Sequence, residues 1–228
     1  MTHSNAYYAI QEALKSGKPF KPHKMDYKPG TGFSDSVAVV ADYGNGEDVK
    51  KILDESKSRQ VLVYDKGNFC KNAPDCYCRP RRNVGREQET FLHFVTTHND
   101  KLPNDIIFLP TPLAKHDRFE RYKNILKTGG NSYPPEVYLG AEADFELPVY
   151  EERKMTRASE YPFKKWYEKH IGEWVPNTPM IWNGIYKTSR DRILEKPRNF
   201  FANLHEQTKA ANDTEVGHFL ERSMTSIY

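Results

Sequence analysis

The feature that most constrains the fold of this chain is a pair of short β-branched apolar runs with an amphipathic segment between them, all within residues 36–64. Ser36-Val37-Ala38-Val39-Val40-Ala41 has the continuous apolar character of a strand buried on both faces, and Gln60-Val61-Leu62-Val63-Tyr64 is a second of the same kind. Between them Asp42-Tyr43-Gly44-Asn45-Gly46 makes a loop, and Glu47 to Lys57 places Val49, Ile52 and Leu53 at helical spacing. Strand, helix and strand in so short a span predict a right-handed parallel unit. The expectation is an α/β domain with a mostly parallel central sheet flanked by helices.

Beyond residue 64 the pattern continues. Asp65-Lys66-Gly67 opens a loop, and Asn83-Val84-Gly85-Arg86-Glu87 leads into a helix over residues 86–98 on which Phe91, Leu92, Val95 and His98 share one face. Asp105-Ile106-Ile107-Phe108-Leu109 is a third strand, running directly into Pro110-Thr111-Pro112. Ligands of open α/β sheets bind beyond the carboxyl ends of the strands. By that rule Asp42 to Gly46, Asp65 to Gly67 and Pro110 to Asp117 converge on one crevice, with the Asn83 segment beside it. Further along, the spacing predicts a helix around 115–127, a Pro- and Gly-rich stretch over 129–148, a helical segment over 161–171 and a strand over 180–186 broken by Gly184. Ser189 caps a short helix, Pro197 begins another, and a last helix covers 214–227. Residues 1–35, with Lys18-Pro19-Phe20-Lys21-Pro22 and Lys28-Pro29-Gly30, read as an N-terminal arm, and 36–228 as a single domain.

Composition excludes some classes of function. Charged residues make up 29% and apolar ones 37%, with a mean hydropathy of -0.82, which describes a soluble protein with many polar loops. No run approaches the roughly 18 apolar residues of a membrane span, and Met1-Thr2-His3-Ser4-Asn5 lacks the layout of a secretory signal, so a cytoplasmic protein is expected. A net charge of +3 spread along the chain is too balanced to imply nucleic-acid binding by itself. Arg79-Pro80-Arg81-Arg82, followed by Arg86, is the local exception; it suits a phosphate-bearing ligand, or is an ordinary solvated basic loop. The three cysteines, Cys70, Cys76 and Cys78, are odd in number and have no fourth zinc ligand at usual spacing. They read as reduced, structurally incidental thiols, with a local disulfide or a metal site as alternatives.

The order of motifs resembles the uncharacterised family of small proteins catalogued as DUF3431. The resemblance rests on Val37-Ala38-Val39-Val40-Ala41-Asp42-Tyr43, Val63-Tyr64-Asp65-Lys66-Gly67, Asn83-Val84-Gly85-Arg86-Glu87 with Thr90-Phe91-Leu92, the 102–109 segment with His116, and Glu215-Val216-Gly217-His218-Phe219-Leu220-Glu221-Arg222. It spans about residues 36–225 and implies no activity. The layout is also similar, more weakly, to nucleotide-sugar glycosyltransferases of the GT-A fold. In those a first strand and its loop hold the nucleotide, an Asn-x-Gly segment opens a helix, and a later strand leads to a metal-binding acidic pair. This second resemblance implies a single GT-A-like, Rossmann-like domain, a nucleotide-sugar donor and a glycan, protein or other hydroxyl acceptor. The acidic pair is missing here, since Phe108-Leu109 is followed by Pro110-Thr111-Pro112, which puts metal dependence in doubt. His116 and Asp117, a few residues later, are the candidates for a divalent cation (Mn or Mg) or a pyrophosphate.

Residue by residue, the candidate contacts to a nucleotide sugar are Asp42, Tyr43, Lys66, Asn83, Gly85, Arg86 and Glu87. Asn83 at a helix start caps free amides, Gly85 lets a ligand approach the backbone, and the helix N-terminus favours an anion. Glu87 also fits an ordinary first-turn acid that offsets the helix dipole. Arg86 does not, because a cation there is unfavourable unless it faces an anion. Asp42 and Tyr43 are placed to take a ribose hydroxyl and stack on a base, and Lys66 to meet a phosphate; turn chemistry explains Asp42 and Lys66 almost as well. An inverting sugar transfer needs a carboxylate to deprotonate the acceptor and charge relief for the leaving diphosphate. Glu215 is the preferred base, with His218 and Glu221 following on the same helix; a capping glutamate and a packing histidine are the structural alternative. Trp182-Asn183-Gly184 could form an acceptor wall. Two other readings stay open: a non-catalytic module binding an anionic ligand or nucleotide sugar, and a glycosyltransferase acting on a nucleic-acid base, for which Arg79, Arg81 and Arg82 would contact the backbone.

Overall fold

In the computed structural model, which describes residues 33–228 apart from 57–58, 68–77, 132–138, 140–154, 182 and 212, the first apolar run becomes the central strand. β1 (Ser36–Asp42) is buried from Val37 to Asp42, as the absence of alternation in its sequence requires. β2 (Gln60–Asp65) and β4 (Asp105–Pro110) flank it, both parallel, with Val39 standing between Leu62 and Phe108. β3 (Cys78–Pro80) adds a parallel edge beside β2, and β5 (Tyr186–Ser189) an antiparallel edge beside β4. The order is β3-β2-β1-β4-β5.

Successive strand residues point to opposite faces, so the two apolar sets separate into two cores. Val37, Val39, Leu62, Ile106 and Phe108 pack with α2 (Arg86–His98), α4 (Phe163–His170), α6 (Arg198–Thr208) and α7 (Glu215–Ile227). Ala38, Val40, Val61, Val63, Ile107 and Leu109 pack with Val49 and Ile52 of α1 (Gly46–Ser56) and Tyr122 and Ile125 of α3 (Arg118–Thr128). Aromatic rings fill the first core, Phe108 lying 4.8 Å from Phe91 and 5.3 Å from Tyr228 between ring centres. Burial of this kind contributes roughly 25 cal/mol per Å² of apolar surface. The helices on both faces make the sheet doubly wound, with its topological switch between β1 and β4.

Two elements differ from the expectation. The strand expected over 180–186 begins at Tyr186 instead, because Asn183 (φ 71°) and Gly184 (φ 70°) are left-handed and turn the chain before it can pair. β3 was not expected, since three residues carry no periodicity; its Pro80 is tolerated on an edge strand. Cys78 is disulfide-bonded, which corrects the expectation of incidental reduced thiols at that position. Most of the N-terminal arm and of the 129–148 stretch lies outside the described residues, although Phe33 packs 4.8 Å from the His98 ring. Ser189 caps a short helix α5 (Arg190–Leu194) by accepting the Arg192 N–H, as its position predicts. Among the described residues no helix is long and apolar enough to cross a membrane.

Candidate active site

The carboxyl ends of β1, β2 and β4 meet at the switch point. The Lys66 N–H donates to the Asp42 carbonyl at 2.7 Å and the Tyr43 N–H to Thr111 Oγ1 at 3.0 Å, so the three strand-end loops do converge. Asp42 itself is a brace. It is wholly buried, accepting the N–H groups of Gly44 and Asn45 at 3.1 Å each and the Thr111 hydroxyl at 2.7 Å. The turn explanation therefore holds for Asp42, which has no face left for a ribose.

Lys66 is a brace of the same sort. Its Nζ lies 3.0 Å from Glu89 Oε2 and donates to the carbonyls of Val84 at 2.7 Å and Arg86 at 2.5 Å, which uses all three of its protons. It holds the turn that starts α2, with its ammonium turned to protein groups. Glu89 also pairs with Arg81 and with His205 Nε2 at 3.2 Å. Burial would raise this carboxyl, but His205, Lys66 and Arg81 outweigh it and hold it down at about 2. The caps proposed for the turn are likewise corrected. Asn83 is exposed, and α2 has Gly85 at its N-cap with no side-chain cap. A Cβ on Gly85 (φ 60°) would sit 2.4 Å from the Thr208 carbonyl oxygen, so packing against α6 already requires glycine there.

Beyond this brace lies a cluster of a different character. Arg86, left-handed at φ 53°, sends its guanidinium to α7, where Nη1 lies 2.8 and 2.9 Å from the two ring nitrogens of His218. Its Nε is 3.8 Å from Glu87 Oε2, and His218 Nε2 is 3.4 Å from Asp213 Oδ1. Arg118, the first residue of α3, is buried and donates from Nε to the Asn183 carbonyl at 3.0 Å and from Nη1 to the Pro112 carbonyl at 3.1 Å. The Asn183 N–H in turn donates to Glu221 Oε1 at 2.7 Å. A Cβ on Gly184 would lie 3.2 Å from Glu87 Cγ, so the left-handed Asn183-Gly184 turn is wedged between the two glutamates and Arg118.

The charges in this cluster perturb one another. Burial raises the Glu221 carboxyl, the neighbouring Glu87 carboxylate raises it further, and Arg86 and Arg222 only partly oppose this. Burial pushes the Arg118 guanidinium down against the pull of Glu87 and Glu221. In Arg86 burial acts the same way but is outweighed by Glu87, Glu221 and Asp213, which raise it. The Tyr43 hydroxyl, buried and without a hydrogen-bond partner among the described residues, is pushed well up by burial and then by Glu87. Non-glycine residues with positive φ carry roughly 1–3 kcal/mol of strain each. Arg86 and Asn183 both stand in this cluster.

The remaining candidates lie elsewhere. Glu215 is fully buried at the start of α7, its Oε2 accepting the Ala158 N–H at 2.7 Å, and its backbone N–H donates to Thr156 at 2.9 Å. It stitches the 156–158 segment to the helix, which Thr214 caps. His116 and Asp117 are exposed in the Lys115–Asp117 turn, and among the described residues no group of three or more His, Cys, Asp or Glu could hold a metal ion. Trp182 lies outside the described residues. Arg118 is a further member of the cluster that lies outside the expected contacts. It carries the same signal as Arg86, a cation in the first turn of a helix, where the dipole disfavours it.

Strand order, the switch point and a largely buried charged cluster beyond it define a doubly wound α/β domain with a candidate anion site. Comparison with protein-family models, with curated proteins and with solved structures returns no match.

Proposed function

We propose that this chain is a glycosyltransferase-like enzyme that moves a sugar from a nucleoside diphosphate donor to a hydroxyl acceptor. The observation that supports it most is the convergence of Arg86 and Arg118, from the first turns of two helices, on the paired carboxylates of Glu87 and Glu221. Two cations held against helix dipoles and partly desolvated gain most from a dianionic partner. A diphosphate leaving group supplies that partner.

In this reading the bond from the anomeric carbon to the diphosphate oxygen breaks as the acceptor oxygen attacks. Arg86 and Arg118 stabilise the charge that develops on the departing diphosphate. Glu221 takes the acceptor proton; burial and the neighbouring Glu87 raise its affinity for protons. Glu215 and Glu221 each accept one backbone N–H, from Ala158 and Asn183, and Glu221 is the base in this reading because it stands beside Glu87 and Arg86 while Glu215 lies away from them. His218 orients Arg86.

The test is transfer itself. Nucleotide sugars, with and without Mn²⁺, are offered with hydroxyl acceptors to the native chain and to Glu221→Gln. The expected outcome is turnover by the native chain, with kcat lower by about 10²–10⁴ in the variant while donor binding persists. Full transfer by Glu221→Gln overturns the assignment of the base, and donor binding without turnover by the native chain indicates a binding module.

A further inference from the structure

At the amino ends of the strands, opposite the Arg86–Arg118 cluster, a cavity of about 640 Å³ lies between the carboxyl ends of α1 and α3. Sites for small ligands span roughly 300–1,000 Å³, so it has room for one. Its two walls differ in charge. α1 brings Glu55, and no basic residue stands in its last turn, so the carboxylate adds to the negative end of the helix dipole. Glu55 makes no ion pair or hydrogen bond among the described residues. Arg59, just beyond it, is committed to Ser36 Oγ and, at 3.1 Å, to Asp105 Oδ2. Asp35, ahead of β1, lies on the strand side and accepts the Asn104 amide at 3.3 Å. α3 brings Lys123 and Lys127, one turn apart on the same face. Lys123 shares an exposed pair with Glu120, and Lys127 has no partner among the described residues. The buried 2.6 Å hydrogen bond between Ser56 Oγ and the Tyr122 hydroxyl holds the two helices together at this end.

We infer that this cavity binds a short linear zwitterion, with its ammonium at Glu55 and the carboxyl end of α1 and its carboxylate at Lys123 and Lys127. A lone anion would meet Glu55 and the negative ends of two helices, and a lone cation would meet the lysines and Arg59. A ligand that carries the two charges at opposite ends answers both walls. A free di- or tripeptide is such a molecule. The site is separate from the Arg86–Arg118 cluster and does not depend on sugar transfer.

Triglycine is the probe, followed through the amide chemical shifts of the isotope-labelled chain at about pH 6.5, where an α-ammonium is charged. Saturable shifts are expected around the cavity, at Ser34, Ser36, Ser56 and Lys127. N-acetyltriglycine lacks the ammonium and triglycinamide the carboxylate; each should bind about fivefold more weakly, the scale of one partly exposed ion pair. Glu55→Gln should bring triglycine down to the affinity of N-acetyltriglycine and leave the acetylated peptide unchanged. The double variant Lys123→Gln/Lys127→Gln should bring it down to triglycinamide and leave the amide unchanged. If one variant fails to fold, the other decides. 6-Aminohexanoate binding as tightly as triglycine assigns the recognition to the two charges alone, and weaker binding adds the peptide amides to it. No saturable binding of either zwitterion, capped peptides as tight as triglycine, or shifts confined to residues away from the cavity overturns the inference.

Discussion

Glu89 and Glu221 are two buried glutamates at the same end of the same sheet, each facing cations, and their acidities move in opposite directions. Glu89 is held down at about 2 by His205, Lys66 and Arg81, which outweigh its burial. Glu221 is pushed up by burial and by Glu87, and its nearest cations divide themselves between the two carboxylates, His218, Asn183 and Pro112. The difference lies in how completely each acid is paired. A fully paired acid is a brace, with nothing left to offer a ligand. An acid crowded by a like charge beside partly committed arginines is a place where an added anion or proton changes the energy.

The sharpest way to break this contrast is to neutralise each acid. Glu89→Gln leaves the buried Lys66 ammonium without a counter-charge and should cost about 3–5 kcal/mol of stability in urea unfolding. The loss of Glu89's contribution with acid has a defined sign: because its carboxyl is depressed from 4.5 to about 2, the stability it supplies is complete above about 4.5 and disappears as pH falls toward about 2. A smaller effect precedes it. Burial, then Arg81, holds the His93 ring down at about 4 from 6.5, so stability should decline as pH falls from about 6.5 to about 4, and melting curves of His93→Asn should be flatter in that window. Glu221→Gln should change stability least, by under about 1 kcal/mol at neutral pH, because the amide oxygen can still accept the Asn183 N–H. The raised acid in the native chain loses stability as pH rises above its ordinary value, so any difference should favour the variant and grow with pH. A Glu221 variant as damaged as Glu89→Gln would erase the distinction.

Much of this was legible in the sequence. Val37 to Ala41, Val61 to Tyr64 and Ile106 to Leu109 are strands because no other element buries a continuous β-branched run on both faces, and their carboxyl ends place the crevice. Arg86 was marked by its conflict with the helix dipole, and the structure brings it to His218 and Glu87. Asp42, Lys66 and Gly85 are ambiguous in the sequence for a common reason: a residue at a turn is suited to a ligand and to its own backbone alike, and the fold shows the protein partner each has. Asp42 went to Asn45 and Thr111, Lys66 to Val84, Arg86 and Glu89, and Gly85 to the surface of Thr208. Arg118 was missed because its importance depends on Asn183 and Glu221, which lie 65 residues or more further along the chain and reach it only through a left-handed turn. β3 lacked any signal, since it is a strand only by pairing with β2.

The claim that an anionic donor binds at the Arg86–Arg118 cluster rests most directly on Arg118. Calorimetric titration of nucleotide sugars into the native chain and into Arg118→Gln measures it. The account predicts binding to the native chain and a loss of about 2–5 kcal/mol of binding free energy in the variant. Equal affinity for both proteins, with the variant folded, would contradict it.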